Sequence, residues 1–167
     1  ESSFFYTNIQ NKKYCVDQNV SICRQDFKDK GFNLKLRLKE EGVFPAIAIG
    51  INDLAGTGFF SSEYVVGSYG IDNLDLHFGL GWGSLNTSDL SFRNPLSFIN
   101  DTFDDRPTGF ASRGGQFRPG RYFSGKEASP FFGASYAFND NLLFKIEYDT
   151  TATDGAIEYD IPSSRAS

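Results

Sequence analysis

The sequence predicts an all-β chain, an antiparallel up-and-down meander that forms part of a transmembrane β-barrel. Two observations predict it. The first is a strict every-second-residue apolar rhythm that recurs in separate segments, with full charges at the alternate positions. Successive strand residues point to opposite faces, so each segment has one apolar face and one polar face. A packed core would not tolerate the charged face. A sheet with lipid on one side and water on the other requires both. The second observation is an asymmetry of the connections. Those at 41–44, 71–73 and 139–141 are tight and built from Gly, Asn and Asp, as hairpin turns require. Those at 11–30, 53–62 and 83–128 are longer. In a meander the short ones fall on one end and the long ones on the other, the pattern of outer-membrane barrels.

The strands read in order as follows. Residues 4–10 form the first. In 31–40, Phe32, Leu34, Leu36 and Leu38 alternate with Asn33, Lys35, Arg37 and Lys39. In 45–52, Ile47, Ile49 and Ile51 oppose Ala46, Ala48 and Gly50. Segment 63–70 is a strand of ambiguous phase. In 74–82, Leu74, Leu76, Phe78, Leu80 and Trp82 alternate with Asp75, His77, Gly79 and Gly81. In 129–138, Phe132, Ala134, Tyr136 and Phe138 oppose Phe131, Gly133, Ser135 and Ala137. In 142–149, Leu142, Phe144, Ile146 and Tyr148 alternate with Leu143, Lys145, Glu147 and Asp149. Phe44, Phe59, Phe60, Trp82, Phe138 and Tyr148 fall near strand ends, where an interfacial aromatic girdle would lie. A soluble β-sandwich also alternates and is the competing architecture.

Composition agrees with an all-β chain. Phe (18), Tyr (8) and Gly (17) are abundant and Met is absent. No apolar run has the length of a membrane-spanning helix. The net charge of −5 excludes a nucleic-acid binder, since no basic stripe is present to meet phosphates. Glu1 opens onto Phe4 and Phe5 with no basic region and apolar stretch of a signal peptide between them. The chain is therefore expected to be a mature product or a piece of a longer exported one. Cys15 and Cys23 sit in a polar stretch, and their spacing fits a small disulfide-closed loop in an oxidising compartment; two free thiols are the alternative. The lone His77 lies far from both, which argues against a metal site.

The 83–128 connection mixes Arg93, Arg106, Arg113, Arg118 and Arg121 with Phe92, Phe98, Phe103, Phe110, Phe117, Tyr122 and Phe123. Planar cations and aromatic faces suit contact with a sugar polymer. The expected glycan contacts are Arg106, Arg113, Arg118, Phe117 and Tyr122. The alternative is a folded surface loop with solvated charges and aromatic pins.

One block is more specific. Glu40, Glu41 and Gly42 lead to Pro45; then come Asp53, Leu54, Gly56, Thr57 and Gly58; Phe59 and Phe60; Ser62, Glu63 and Tyr64; and Gly79, Leu80, Gly81, Trp82 and Gly83. This order resembles the YjbH-type family of Gram-negative outer-membrane β-barrel proteins linked to exopolysaccharide biosynthesis. Asn94-Pro95, the Gly114-Gly115 pair and the run ending Ile146-Glu147-Tyr148 are similar too. The likeness covers 26–149. Tyr69 stands where the family usually has Lys. Family members are several times longer and carry an export signal, often of lipoprotein type, so the resemblance implies a segment of a larger barrel. It further implies an outer-membrane location, a lipid environment, and polysaccharide and export-machinery proteins as partners.

As an architectural motif the block is intelligible. Gly56 and Gly58 permit a tight excursion with positive φ. Glu63 is expected to accept their amides or to pair with a lumen cation such as Arg37. Gly79 and Gly81 leave room on the lumen face. Asp53, Gly56, Thr57, Gly58, Glu63, Tyr64, Gly81 and Trp82 are thus expected as structural residues. An acid pair of Asp53 and Glu63 acting on a glycan would need a defined separation around a sugar. No nucleophile elbow, phosphate loop or zinc spacing is present. The expectation is a non-enzymatic protein without cofactor that assists exopolysaccharide assembly or export. A porin-like or purely structural barrel and a lumen hydrolase are the alternatives.

Overall fold

The computed structural model describes residues 1–14, 25–56, 58, 60–107, 119–139, 141–148 and 165–166. Cys15, Cys23, Thr57, Phe59, Arg113, Phe117 and Arg118 lie outside them, as does the Gly114-Gly115 pair. The strands are β1 (Ser2–Tyr14), β2 (Gln25–Lys39), β3 (Ala46–Leu54), β4 (Ser62–Ile71) and β5 (Leu74–Gly83). They continue as β6 (Phe92–Arg93), β7 (Glu127–Asn139), β8 (Leu142–Tyr148) and β9 (Arg165–Ala166). All pairings are antiparallel. The sheet order is β1-β2-β3-β4-β5-β7-β8-β9, with β6 added to β7. The chain is an all-β antiparallel meander that curls without closing among the described residues.

Two strands reach further than the apolar rhythm. β2 begins at Gln25, because its polar start pairs with the far half of β1 across a register shift between Ile9 and Lys13. Backbone pairing extends that hairpin where no apolar periodicity marks it. Likewise β6 and β9 each consist of two residues and leave no periodic trace.

Register settles the faces. Ile49 lies opposite Val65, and Val65 opposite Leu80. Gly67 lies opposite Phe78, Phe78 opposite Phe132, and Phe132 opposite Tyr148. Cross-strand partners share a face. β4 therefore presents Val65, Gly67 and Tyr69 to the apolar side, which resolves its phase. The apolar side runs across the sheet, half-buried at positions such as Ile49 and Val65 and open at others: Phe4, Leu36, Phe78 and Ile146 are 61, 48, 59 and 59 % exposed. Phe132 stacks on Tyr148 with centroids 5.0 Å apart. No second sheet covers this face among the described residues, so the sandwich alternative does not hold there.

The opposite side carries Lys35, Arg37, Tyr64, Ser68, His77, Phe131, Lys145 and Glu147. Its floor is shaped by glycine. An ideal Cβ on Gly50 would lie 2.1 Å from Cζ of Tyr64, and one on Gly79 would lie 2.2 Å from Cζ of Phe131. Each ring thus leans over the glycine facing it on the neighbouring strand. His77 Nδ1 meets Ser68 Oγ at 2.8 Å on the same side.

Burial is inverted relative to a soluble domain. The largest fully buried side chains are polar: Glu63, Asn94, Asp29, Ser124 and Ser129. Only Ala48, Trp82 and Ala128 are buried apolar residues among those described. The interior of this chain is a polar rim, not an apolar core.

Gly79→Ala should destabilise the chain by about 1–3 kcal/mol, because its methyl group displaces the Phe131 ring. Gly120→Ala, with nothing within 4 Å of the new Cβ, is the control. Urea unfolding of the purified full-length chain measures both. Equal midpoints would show that the ring does not rest on the glycine.

Candidate functional site

The polar rim forms at the end bearing the long connections. Glu63 and Trp82 face each other in register and continue the apolar series of Val65 and Leu80 by parity. Unlike those neighbours they are buried, at 0 and 2 % exposure. Described parts of the long connection, 84–107 and 119–126, cover them, through Asn94, Arg106 and Phe123.

Arg106 is the clamp. Its Nη1 donates to Glu63 Oε2 at 2.7 Å and its Nη2 to Glu63 Oε1 at 2.9 Å. This is the bidentate geometry that makes Arg–carboxylate pairs strong. Nη1 also donates to the carbonyls of Arg121 and Ser124, and Nη2 to Ser61 O and Oγ. The Phe123 amide donates to Glu63 Oε2 at 2.9 Å. A buried pair needs such extra bonds to offset the loss of hydration of both charges. Gly83, at φ +70°, is required beside it, because a Cβ there would lie 2.5 Å from Arg106 Nη2.

Asn94 is the second hub. Its Oδ1 accepts from Trp82 Nε1 at 2.9 Å and from the Leu96 amide, capping the short 3-10 turn Pro95–Phe98. Its Nδ2 reaches the carbonyls of Phe103, Phe123 and Gly125. Trp82 meets Phe123 edge-on, with centroids 5.3 Å apart. Ser88 gives a third anchorage, its hydroxyl 2.6 Å from that of Tyr148.

A buried acid pair lies at the neighbouring strand ends. Asp53 sits at φ +58° past Ile51, where the exposed apolar band of β3 stops. Its amide donates to Asn33 Oδ1 at 3.2 Å, and its carboxyl, 4 % exposed, presses on Gly31 and Gly56. Asp29 is fully buried beside it. Neither Asp53 oxygen is in hydrogen-bonding geometry with a partner. Burial, then the Asp29 charge, push the Asp53 carboxyl up to about 7; nearby amides of Gly58 and Phe60 and the Arg121 guanidinium oppose the shift. Arg121 Nη2 donates to Gly58 O at 3.0 Å and ties this corner to the covering segment. No three metal-ligating side chains converge among the described residues.

A family model described as "Exopolysaccharide biosynthesis protein YbjH" matches residues 1–155. The chain belongs to the YjbH family. It is 36 % identical over 151 residues to "Uncharacterized lipoprotein YjbH" of Escherichia coli (strain K12), a match covering 89 % of this chain and 21 % of that relative. It thus spans about a fifth of the length of the curated relative it matches. No solved structure matches it.

Within this YjbH-family segment several expectations change. Glu63 takes neither the Gly56 and Gly58 amides nor Arg37. Arg37 lies on the other face and pairs with Glu40 at 3.6 Å in the open. Arg106, expected to touch glycan, is committed to Glu63. Trp82 is buried under the covering segment and is not an exposed girdle residue. Gly81 makes room for Leu85, whose Cβ is 2.6 Å from its ideal Cβ, on the face opposite Trp82. Tyr64 belongs to the opposite face and not to the rim. Tyr122 is half-buried, and its hydroxyl is pushed up first by burial and then by the Glu63 charge. The hub role of Asn94 leaves no trace in the sequence beyond the helix-start signal of an Asn before Pro.

Arg106→Ala should cost about 3–5 kcal/mol, since it strands a buried carboxylate. Deleting 100–115 should cost no less, because it removes the same guanidinium. Chemical unfolding of the full-length chain checks both, and a midpoint unmoved by Arg106→Ala would refute the clamp. A second expectation concerns pH. Native Asp53 keeps a proton that the unfolded chain releases between about pH 4 and 7, so stability falls as pH rises through that window. The slope is at most about 1.4 kcal/mol per pH unit. Asp53→Asn should flatten the profile; an unchanged slope in that variant would place the titration elsewhere.

Proposed function

We propose that the chain is a segment of an outer-membrane β-barrel that assists exopolysaccharide assembly or export without catalysing a reaction. One observation carries the reading: an apolar face, exposed or half-buried on β1–β5, β7 and β8, backs a face of charged, small and aromatic side chains. An exposed apolar surface of this extent marks a membrane or protein contact. Alternation with charge on the reverse selects lipid outside and water inside. Open sheet edges are not tolerated in lipid, so further strands of a longer polypeptide complete the barrel. The relative's description as a lipoprotein supports an envelope location for this chain. The polysaccharide role rests on the family. Against an Asp53–Glu63 acid pair acting on a glycan, Glu63 is occupied by Arg106 and the Phe123 amide.

Phe78→Arg, at the centre of the apolar face, should impair insertion of the full-length chain by about 2–4 kcal/mol. His77→Arg, one residue away on the other face, should insert normally. Heat-dependent migration of the membrane fraction on gels reads both. Equal behaviour removes the membrane reading. Loss of secreted polymer in cells without the gene supports the exopolysaccharide role, and unchanged polymer with ion conductance by the reconstituted protein favours a porin-like barrel.

A further inference from the structure

The side opposite the apolar face holds an aromatic ledge that the rim does not use. Tyr64 leans over Gly50 and Phe131 over Gly79, and the two rings meet edge-on, with centroids 6.2 Å apart. The ledge spans β3 to β7. Register extends it into two rows. Lys35, Gly50, Tyr64, Gly81 and Ser129 are successive partners in one, and Arg37, Ala48, Val66, Gly79 and Phe131 in the next. Both rows begin with an exposed cation on β2. Below Phe131 the exposed imidazole of His77 and the Ser68 hydroxyl form a polar pair. On β8 the same face carries Lys145 and Glu147, which add no net charge.

We infer that this face is a track for an acidic polysaccharide, which stacks on Tyr64 and Phe131 and is drawn by Lys35 and Arg37. The inference rests on the exopolysaccharide reading above and assigns it a place on the sheet. Pyranose rings have C–H faces that pack on aromatic rings, and hydroxyls that need polar partners beside them. The glycines let the rings lie close to the sheet, so they floor a passage instead of blocking it. Two half-buried rings beside short polar groups suit a polymer that must bind and still slide. At one side of the track Lys35, with Arg37 shared with the exposed Glu40, offers positive charge to uronic or otherwise acidic sugars, while Asp75 on the same face lies beyond His77 towards the short-turn end.

The test uses the full-length chain in detergent, titrated by calorimetry with oligogalacturonic acid and with dextran oligosaccharides of equal length. The wild type should bind the acidic probe more tightly. Tyr64→Ala and Phe131→Leu should each weaken it by about tenfold, while Tyr64→Phe, which keeps the ring, should not. Lys35→Gln with Arg37→Gln alters only exposed side chains and should reduce the preference for the acidic probe while folding normally. If the rings merely cover glycine backbone, Tyr64→Ala lowers stability and leaves sugar binding unchanged, and the track is refuted. Equal affinity for both probes refutes the acidic assignment. Polymer output separates this inference from its foundation. If deleting the gene stops secretion but the ring variants secrete normally, the track fails and the exopolysaccharide role stands. If the deletion has no effect, the role itself fails.

Discussion

A single buried ion pair decides how this sheet ends. Glu63 occupies a position that, by parity, belongs to the apolar face. Left uncovered beside lipid or apolar solvent, its carboxylate would carry an unpaired charge at a cost of several kcal/mol. Arg106 answers it with both arms of its guanidinium and, in doing so, gathers the carbonyls of Ser61, Arg121 and Ser124 around the pair. The covering segment follows from that clamp, and so does the burial of Trp82, whose indole N–H then finds Asn94. Around the pair, Asn94 on Trp82, Ser88 on Tyr148 and Arg121 on the Gly58 carbonyl hold the rest of the connection against the strand ends.

The consequence is a sheet with three zones. The rim is polar and closed, the apolar band is exposed, and the short turns lie at the far end. Leu74 to Leu80 cover about 20 Å along β5 at ordinary strand rise. Strand tilt shortens that projection, while the hydrophobic belt of a membrane barrel is about 25 Å tall. The belt is reached by counting Val43, Phe44 and Phe138, exposed at 90, 63 and 62 % towards the short-turn end. On the proposed membrane reading, apolar side chains at the turns are thus part of the belt, and the rim stands clear of it.

Much of the sheet was legible in the chain because period-two alternation and Gly/Asn/Asp turns are local signals. Leu34, Leu36 and Leu38, or Leu76 and Phe78, announce their face without reference to any partner. The start of β2 was not legible, since Gln25 to Lys30 form strand only through pairing with β1. The partner of Glu63 was not legible either. It lies 43 residues away in sequence, in a segment whose composition reads as a loop. Arg106 looks like any of the arginines around it; only the burial of a carboxylate singles it out. Asn94 carried a cap signal in Asn94-Pro95, but a cap predicts one bond to Leu96 and not the three carbonyls its amide also serves.

Glycine ties the two faces together. At Gly83 and Gly58 it admits arginine side chains and positive φ, so the rim can close. At Gly50 and Gly79 it admits the rings of Tyr64 and Phe131, so the opposite face stays low. Neither use is interchangeable with the other. A methyl group at Gly83 would strike Ser61 O and Arg106, both held in the clamp. One at Gly79 would meet a ring that can swing away at the cost of its place on the sheet. The glycines of the Gly79-Leu80-Gly81-Trp82-Gly83 run therefore serve different ends within five residues: a ring above the first, Leu85 above the second, and the Arg106 fork against the third. That division explains why the run reads as one motif in sequence although its side chains and glycines work on both sides of the sheet.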